Sequence, residues 1–170
     1  MKRKLAMTAL VSGSFDPPTL GHRFLIEQAC ASFERVIVCA FVNEKKRYLF
    51  TEEERVALLA LTCGGLPVSA VRSYPGVLAD FCAANGVDVI LRGVRGKEDL
   101  GYEQRMAEEN YRRFPGALTV LIPCPDALKG CSSTLAREAL RKGELPAAWM
   151  GEVPARAALE LLSSRKSGKN

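Results

Sequence analysis

Short apolar runs rich in Val, Ile and Leu alternate along the chain with segments of helical spacing. The runs are Leu5–Val11, Val36–Val42, Pro67–Val71, Val87–Leu91 and Ala117–Ile122. Their hydrophobicity is continuous rather than alternating, the pattern of strands covered on both faces in a parallel sheet. Helices are predicted over 20–33, 52–63, 77–85, 99–113, 132–142 and 153–163. In the first, Leu20, Phe24, Ala29 and Phe33 recur at approximately helical spacing. The second opens on a capping box, Thr51 with Glu54 three residues later. Five strands joined by helical crossovers predict an α/β fold: a Rossmann-like, open five-stranded parallel sheet with helices on both faces. One domain over 1–170 accommodates these elements. From about residue 164 the polar, basic tail is expected to be disordered.

Composition excludes some functions. Residues are 48% hydrophobic and 25% charged, ordinary for a soluble globular domain. No apolar run approaches the roughly 18 residues of a membrane span. Lys2-Arg3-Lys4 ahead of Leu5–Val11 has the outline of a signal-peptide start, but the run leads straight into Gly13-Ser14-Phe15-Asp16. It is read as a core strand, and the protein is expected to be cytoplasmic. The net charge of +5 comes from the ends, where Lys2, Arg3, Lys4, Arg165, Lys166 and Lys169 stand without acidic neighbours. The body is no basic platform, so no nucleic-acid partner is expected. Six cysteines without a C-x-x-C pair, beside a single histidine, argue against a zinc site. Cys30, Cys39 and Cys82 are expected to be buried as small hydrophobes.

The candidate chemistry follows the strands, whose carboxyl ends are where open α/β sheets bind ligands. After the first comes Gly13-Ser14-Phe15-Asp16-Pro17-Pro18-Thr19-Leu20-Gly21-His22. Gly13 allows a tight exit, Asp16-Pro17-Pro18 stiffens the turn, and Thr19 can cap a helix whose first amides favour phosphate. Gly21 allows close approach of that phosphate, and His22 lies in the first turn facing it. After the second strand comes Lys45-Lys46-Arg47-Tyr48-Leu49-Phe50-Thr51-Glu52-Glu53-Glu54-Arg55, and after the fourth Arg92-Gly93-Val94-Arg95 through Tyr102-Glu103. Cys131-Ser132-Ser133-Thr134 follows the fifth. Two arginines beside a glycine at a strand end suit an anion. The basic turn at 45–47 can equally be a solvated surface, and the serines can simply cap a helix.

The T-x-G-H pattern after a G-S-F-D-P turn resembles the signature of the nucleotidylyltransferase superfamily. With the other segments, in this order and spacing, residues 6 to 160 resemble the bacterial phosphopantetheine adenylyltransferase family. The resemblance implies transfer of AMP from ATP to 4′-phosphopantetheine by direct attack, with Mg2+ as cofactor, a homohexameric assembly and feedback inhibition by coenzyme A. It implies that His22, Lys46 and Arg95 are catalytic. It places ATP against Ser14, Phe15, His22, Gly93, Val94, Arg95 and Glu103, and against Leu128, Lys129, Gly130, Cys131, Ser132, Ser133 and Thr134. Phosphopantetheine falls to Ser14, Lys46 (in preference to Lys45), Leu78 and Arg92. The chain departs from the family pattern at Ser14, where threonine is usual, at Pro18, at Asn43-Glu44-Lys45 and at Gly130-Cys131. A nicotinate or nicotinamide mononucleotide adenylyltransferase, a cytidylyltransferase and a non-catalytic nucleotide- or RNA-binding protein are the competing expectations.

Overall fold

The computed structural model describes residues 3–167, with the backbone alone at 166 and 167; Met1, Lys2 and residues 168–170, Lys169 included, lie outside the described residues. The continuous apolar runs form β1 (Leu5–Gly13), β2 (Phe33–Phe41), β3 (Ala70–Tyr74), β4 (Val89–Val94) and β5 (Leu118–Pro123). They pair in the order β3-β2-β1-β4-β5, and every pairing is parallel. Between them run α1 (Leu20–Ser32), α2 (Glu52–Thr62), α3 (Leu78–Asn85) and α4 (Lys97–Arg113), followed by α5 (Ser133–Lys142), α6 (Ala147–Met150) and α7 (Glu152–Ser167).

Alternate residues of the central strands feed two cores. Ala9, Val11, Val36, Val38 and Leu91 pack with Leu25, Ile26, Ala29 and Leu59 of α1 and α2. Leu10, Ile37, Cys39 and Ile90 face the other way, against Phe81 and Cys82 of α3. Burial on both faces is why these strands carry no polar alternation. Cys30, Cys39 and Cys82 are buried and unbridged, as expected. A third cluster, Phe50, Leu58, Ala136, Leu140 and Met150 with Ala155 and Ala158, joins α2 to α5, α6 and α7. Among the described residues no helix is long and apolar enough to cross a membrane.

Two expectations shift. The third strand lies at 70–74 rather than 67–71. The Val68 amide is used in a local turn to the Leu66 carbonyl (2.8 Å), so pairing with β2 starts only where the Ser69 amide reaches the Val36 carbonyl (2.7 Å). Within the described residues α7 runs past 164 to Ser167, and Arg165 donates to the Leu49 carbonyl (2.9 Å) and pairs with Glu54.

The strand order also fixes where a ligand can sit. From β1 the chain moves outward through β2 and β3, then returns to β4 on the opposite side of β1. The crossovers leave the sheet in opposite directions there, opening a crevice at the carboxyl ends of β1 and β4.

Candidate active site

That crevice is a cleft of about 390 Å³. Its floor is the turn after β1. Gly13 is favoured there by packing: an added Cβ would lie 3.2 Å from the Phe15 ring, which would have to shift by a few tenths of an ångström. The left-handed residue of the turn is Phe15 itself, at φ 48°, a conformation that costs a non-glycine residue about 1 kcal/mol. Burial of its ring, 2% exposed, helps hold that conformation. The buried Asp16 carboxylate accepts from the Leu49 and Phe50 amides at 2.9 and 3.0 Å, joining this turn to the loop after β2.

Thr19 caps α1, with His22 as its capping partner. The Thr19 amide donates to His22 Nδ1 at 2.9 Å, and the Thr19 hydroxyl lies 3.0 Å from the same nitrogen. An amide N–H can only donate, so Nδ1 is the acceptor and the proton of the neutral ring sits on Nε2. The ring packs edge-on against Phe15, with centroids 5.0 Å apart. A Cβ on Gly21 would meet only ordinary contacts, at 3.6 Å and beyond, so the protein leaves that room in the cleft.

The opposite wall comes from β4 and α4. Arg92 Nε and Nη2 donate to the two Glu103 carboxylate oxygens at 2.7 Å each, and Nη1 donates to the Ser12 carbonyl at 2.6 Å. Burial works against the Arg92 charge, but the hydrogen bonds and charge of Glu103 outweigh it and raise its pKa. Arg95, more exposed, donates to Asp99 at 2.9 Å. The α5 N-terminus closes the cleft. Ser132 Oγ accepts the Thr134 amide at 3.1 Å, whereas Ser133 Oγ donates to the Pro17 carbonyl at 2.8 Å. Arg137 Nη2 donates to Thr134 Oγ1. The hydroxyl protons of Ser132 and Thr134 are thus left to donate elsewhere.

Ser14, His22, Arg92, Gly93, Arg95, Glu103 and Cys131 to Thr134 all line this cleft. The remaining expected residues do not. Phe15 lies beneath His22, and the Val94 carbonyl accepts the Cys124 amide. Leu78 packs on the α3 core. Leu128 ends a single 3-10 turn, beside exposed Gly130 and Lys129, which pairs with Asp126 at 2.5 Å. Lys46 is exposed on the loop after β2. Other lining groups had no motif to reveal them, Ser12, Ile122 and Cys124 among them. Ser12 Oγ is buried without a partner among the described residues, and Ile122 and Cys124 enter from the end of β5.

The electrostatics follow from this geometry. Burial, then the Arg92 and Arg95 guanidinium groups, push the His22 pKa down from 6.5 to about 4. At neutral pH the ring is a neutral Nε2–H donor. Between those two values the unfolded chain holds a proton that the folded ring refuses, so stability falls as pH drops through the window. Thermal melts from pH 7 to pH 4 are therefore expected to show a loss on the order of 2 kcal/mol from this residue. In His22→Asn, whose side-chain oxygen can accept the Thr19 amide, that part of the loss disappears. An equal pH slope in both proteins contradicts the assignment.

With cations, helix amides and a neutral donor on one cleft, the arrangement can bind a polyphosphate and steady charge building on it. His22 Nδ1 is already occupied and Ser133 Oγ is turned to Pro17, so neither forms a nucleophile–base pair.

The cytidylyltransferase-like family model matches residues 10–139. A phosphopantetheine adenylyltransferase from Micrococcus luteus is 40% identical over 131 residues, 76% of this chain and 83% of the relative. One from Actinobacillus pleuropneumoniae serotype 7 is 36% identical over 137 residues, 81% of this chain and 87% of the relative. A solved structure of the Plasmodium falciparum nicotinic acid mononucleotide adenylyltransferase complexed with NaAD superimposes with a TM-score of 0.65. It covers 92% of this chain and 96% of its own at 12% identity, a likeness of fold alone. By extent and identity of sequence match, the chain belongs to the phosphopantetheine adenylyltransferase family of the cytidylyltransferase-like proteins.

Proposed function

We propose that this chain transfers AMP from ATP to 4′-phosphopantetheine, yielding dephospho-coenzyme A and pyrophosphate. The observation that carries the reading is His22, held as a neutral Nε2–H donor by the Thr19 amide at the α1 N-terminus and facing Arg92 and Arg95. An oxygen of the substrate phosphate attacks the α-phosphorus of ATP, the α–β bridge breaks, and pyrophosphate leaves with its electrons. The protein's task is then to position two polyanions and offset charge at the α-phosphorus.

The roles divide by position. His22 donates to the oxygens that gain charge, with Ser14 beside it. Arg95 and the Ser132–Thr134 end of α5 hold the triphosphate. Arg92 has two of its five N–H groups left after its bonds to Glu103 and Ser12, and it offers these to phosphopantetheine. Lys46 reaches the same phosphate from its loop. Glu103 acts by orienting Arg92. Magnesium enters with the nucleotide, held by phosphate and water oxygens. Among the described residues no group of three or more His, Cys, Asp or Glu is placed to hold a metal, and the cleft carboxylates Asp99 and Glu103 are each committed to an arginine. The family resemblance extends the reading to a single-domain, cytoplasmic homohexamer inhibited by coenzyme A and without a nucleic-acid partner. Leu118 and Val120, exposed on β5, suit coverage by another copy.

Incubation of the protein with ATP, magnesium and 4′-phosphopantetheine is expected to release pyrophosphate and form dephospho-coenzyme A. Release with nicotinate mononucleotide but not with phosphopantetheine replaces this substrate by its closest rival.

A further inference from the structure

Lys46 stands outside the cleft lining, yet its loop is tied to the phosphate turn by side chains that do not themselves line the cleft. Arg55, on α2, is 1% exposed and forms no ion pair among the described residues. Its Nη1 donates to the Ser14 carbonyl at 2.7 Å and to the Phe41 carbonyl, the end of β2, at 3.5 Å. Its guanidinium carbon lies 4.1 Å from the centroid of the Tyr48 ring. The Tyr48 hydroxyl accepts the Asn43 amide at 2.9 Å. Asn43 in turn accepts the Lys45 amide on its side chain and the Lys46 amide on its carbonyl, each at 2.9 Å. One buried cation therefore contacts the backbone of Ser14 and the ring that closes the lysine loop.

A guanidinium is costly to bury, and an apolar residue of similar volume would fill α2's inner face at lower cost. What only the planar cation supplies here is simultaneous donation to carbonyls and stacking on an aromatic face. Asp16 makes a second tie between the same two segments through the Leu49 and Phe50 amides. We propose that Arg55 and Tyr48 form a positioning pair that sets the Lys46 loop in register with the Ser14–His22 turn. The proposal rests on the transfer reading above, and it assigns these residues no contact with substrate.

The test compares wild type with Tyr48→Leu, Lys46→Ala and the double variant. Tyr48 is only half-buried, so its replacement spares the core; Arg55→Lys serves as a second probe that keeps the charge and loses the planar face over Tyr48. Tyr48→Leu and Arg55→Lys are each expected to lower kcat about tenfold, the scale of a misplaced group, with KM for ATP within about twofold. On the Lys46→Ala background, Tyr48→Leu should lower kcat no further, because the ring acts through the lysine. Additive losses, wild-type turnover in Tyr48→Leu, or full turnover in Lys46→Ala each overturn the proposal. Hydrogen exchange at the Lys45–Phe50 amides, measured without substrate, is expected to quicken at least tenfold in Tyr48→Leu; unchanged exchange also overturns the tie. A wild-type protein that transfers no AMP overturns the transfer reading instead, and exchange then decides the tie alone.

Discussion

Replacing His22 by alanine is expected to leave the chain folded and to lower kcat by about 10²–10³, the loss that follows removal of one preorganised donor. KM for ATP should change little, because the arginines and two helix N-termini carry ground-state binding of the triphosphate. The substitution also removes the acceptor of the Thr19 amide, at a cost of about 1 kcal/mol. Two further variants separate these effects. Asparagine can place an oxygen near the Nδ1 position and restore the cap, but it has nothing at Nε2. Glutamine can place its amide N–H near Nε2. Turnover should therefore recover partly in His22→Gln and not in His22→Asn, while thermal stability recovers in His22→Asn. Recovery of turnover in His22→Asn would show that the cap, rather than the Nε2 proton, is what catalysis needs. Alanine turnover within a few fold of wild type would remove His22 from the mechanism.

That donor could be anticipated from sequence because its determinants are local. Thr19, Gly21 and His22 fall within one helical turn, and the strand before them is continuously apolar. The same locality made the capping box of α2 and both core faces of β1, β2 and β4 legible. β3 was misplaced because its start depends on which amide the turn at 66–68 consumes, which composition does not encode. α6 is four residues long, too short to show periodicity. The contacts of Arg165 were not legible, because its partners Leu49 and Glu54 lie more than a hundred positions away. Gly13 reads from sequence as allowing a tight exit, whereas the Phe15 ring that crowds its Cβ position is invisible before folding. Within the site, residue types were legible, as was Asp99 as a possible partner for an arginine, but the pairing that braces the wall was not. Arg92 and Glu103 were each singled out, but their mutual bidentate bond joins a strand to a helix across no sequence period. Arg55 closes the 45–55 segment, and nothing in its spacing shows that it is buried against Ser14 and Tyr48.

The Arg92–Glu103 pair serves both stability and substrate binding, so breaking it is expected to show in both. Arg92→Ala removes the only ion-pair partner of Glu103 among the described residues, and that carboxylate is 7% exposed. Leaving a buried charge unpaired costs more than the pair itself is worth, so a loss of about 3 kcal/mol is expected in urea unfolding. Adding Glu103→Ala should return part of it, because the stranded charge is then gone. Arg92→Lys keeps the charge but cannot grip both carboxylate oxygens and Ser12 together, and it should fall between wild type and alanine. The kinetic consequence separates the substrates. Arg95 and the α5 N-terminus remain for ATP, so KM for phosphopantetheine should rise by about tenfold or more while that for ATP stays within about threefold. Removing one of the two guanidinium groups that, after burial, depress His22 should also raise its pKa from about 4 towards 6.5, so the stability that this residue loses on acidification becomes smaller. If ATP binding weakens more than phosphopantetheine binding, Arg92 belongs to the nucleotide instead. If Arg92→Ala is as stable as wild type, the bidentate pair does not hold β4 to α4.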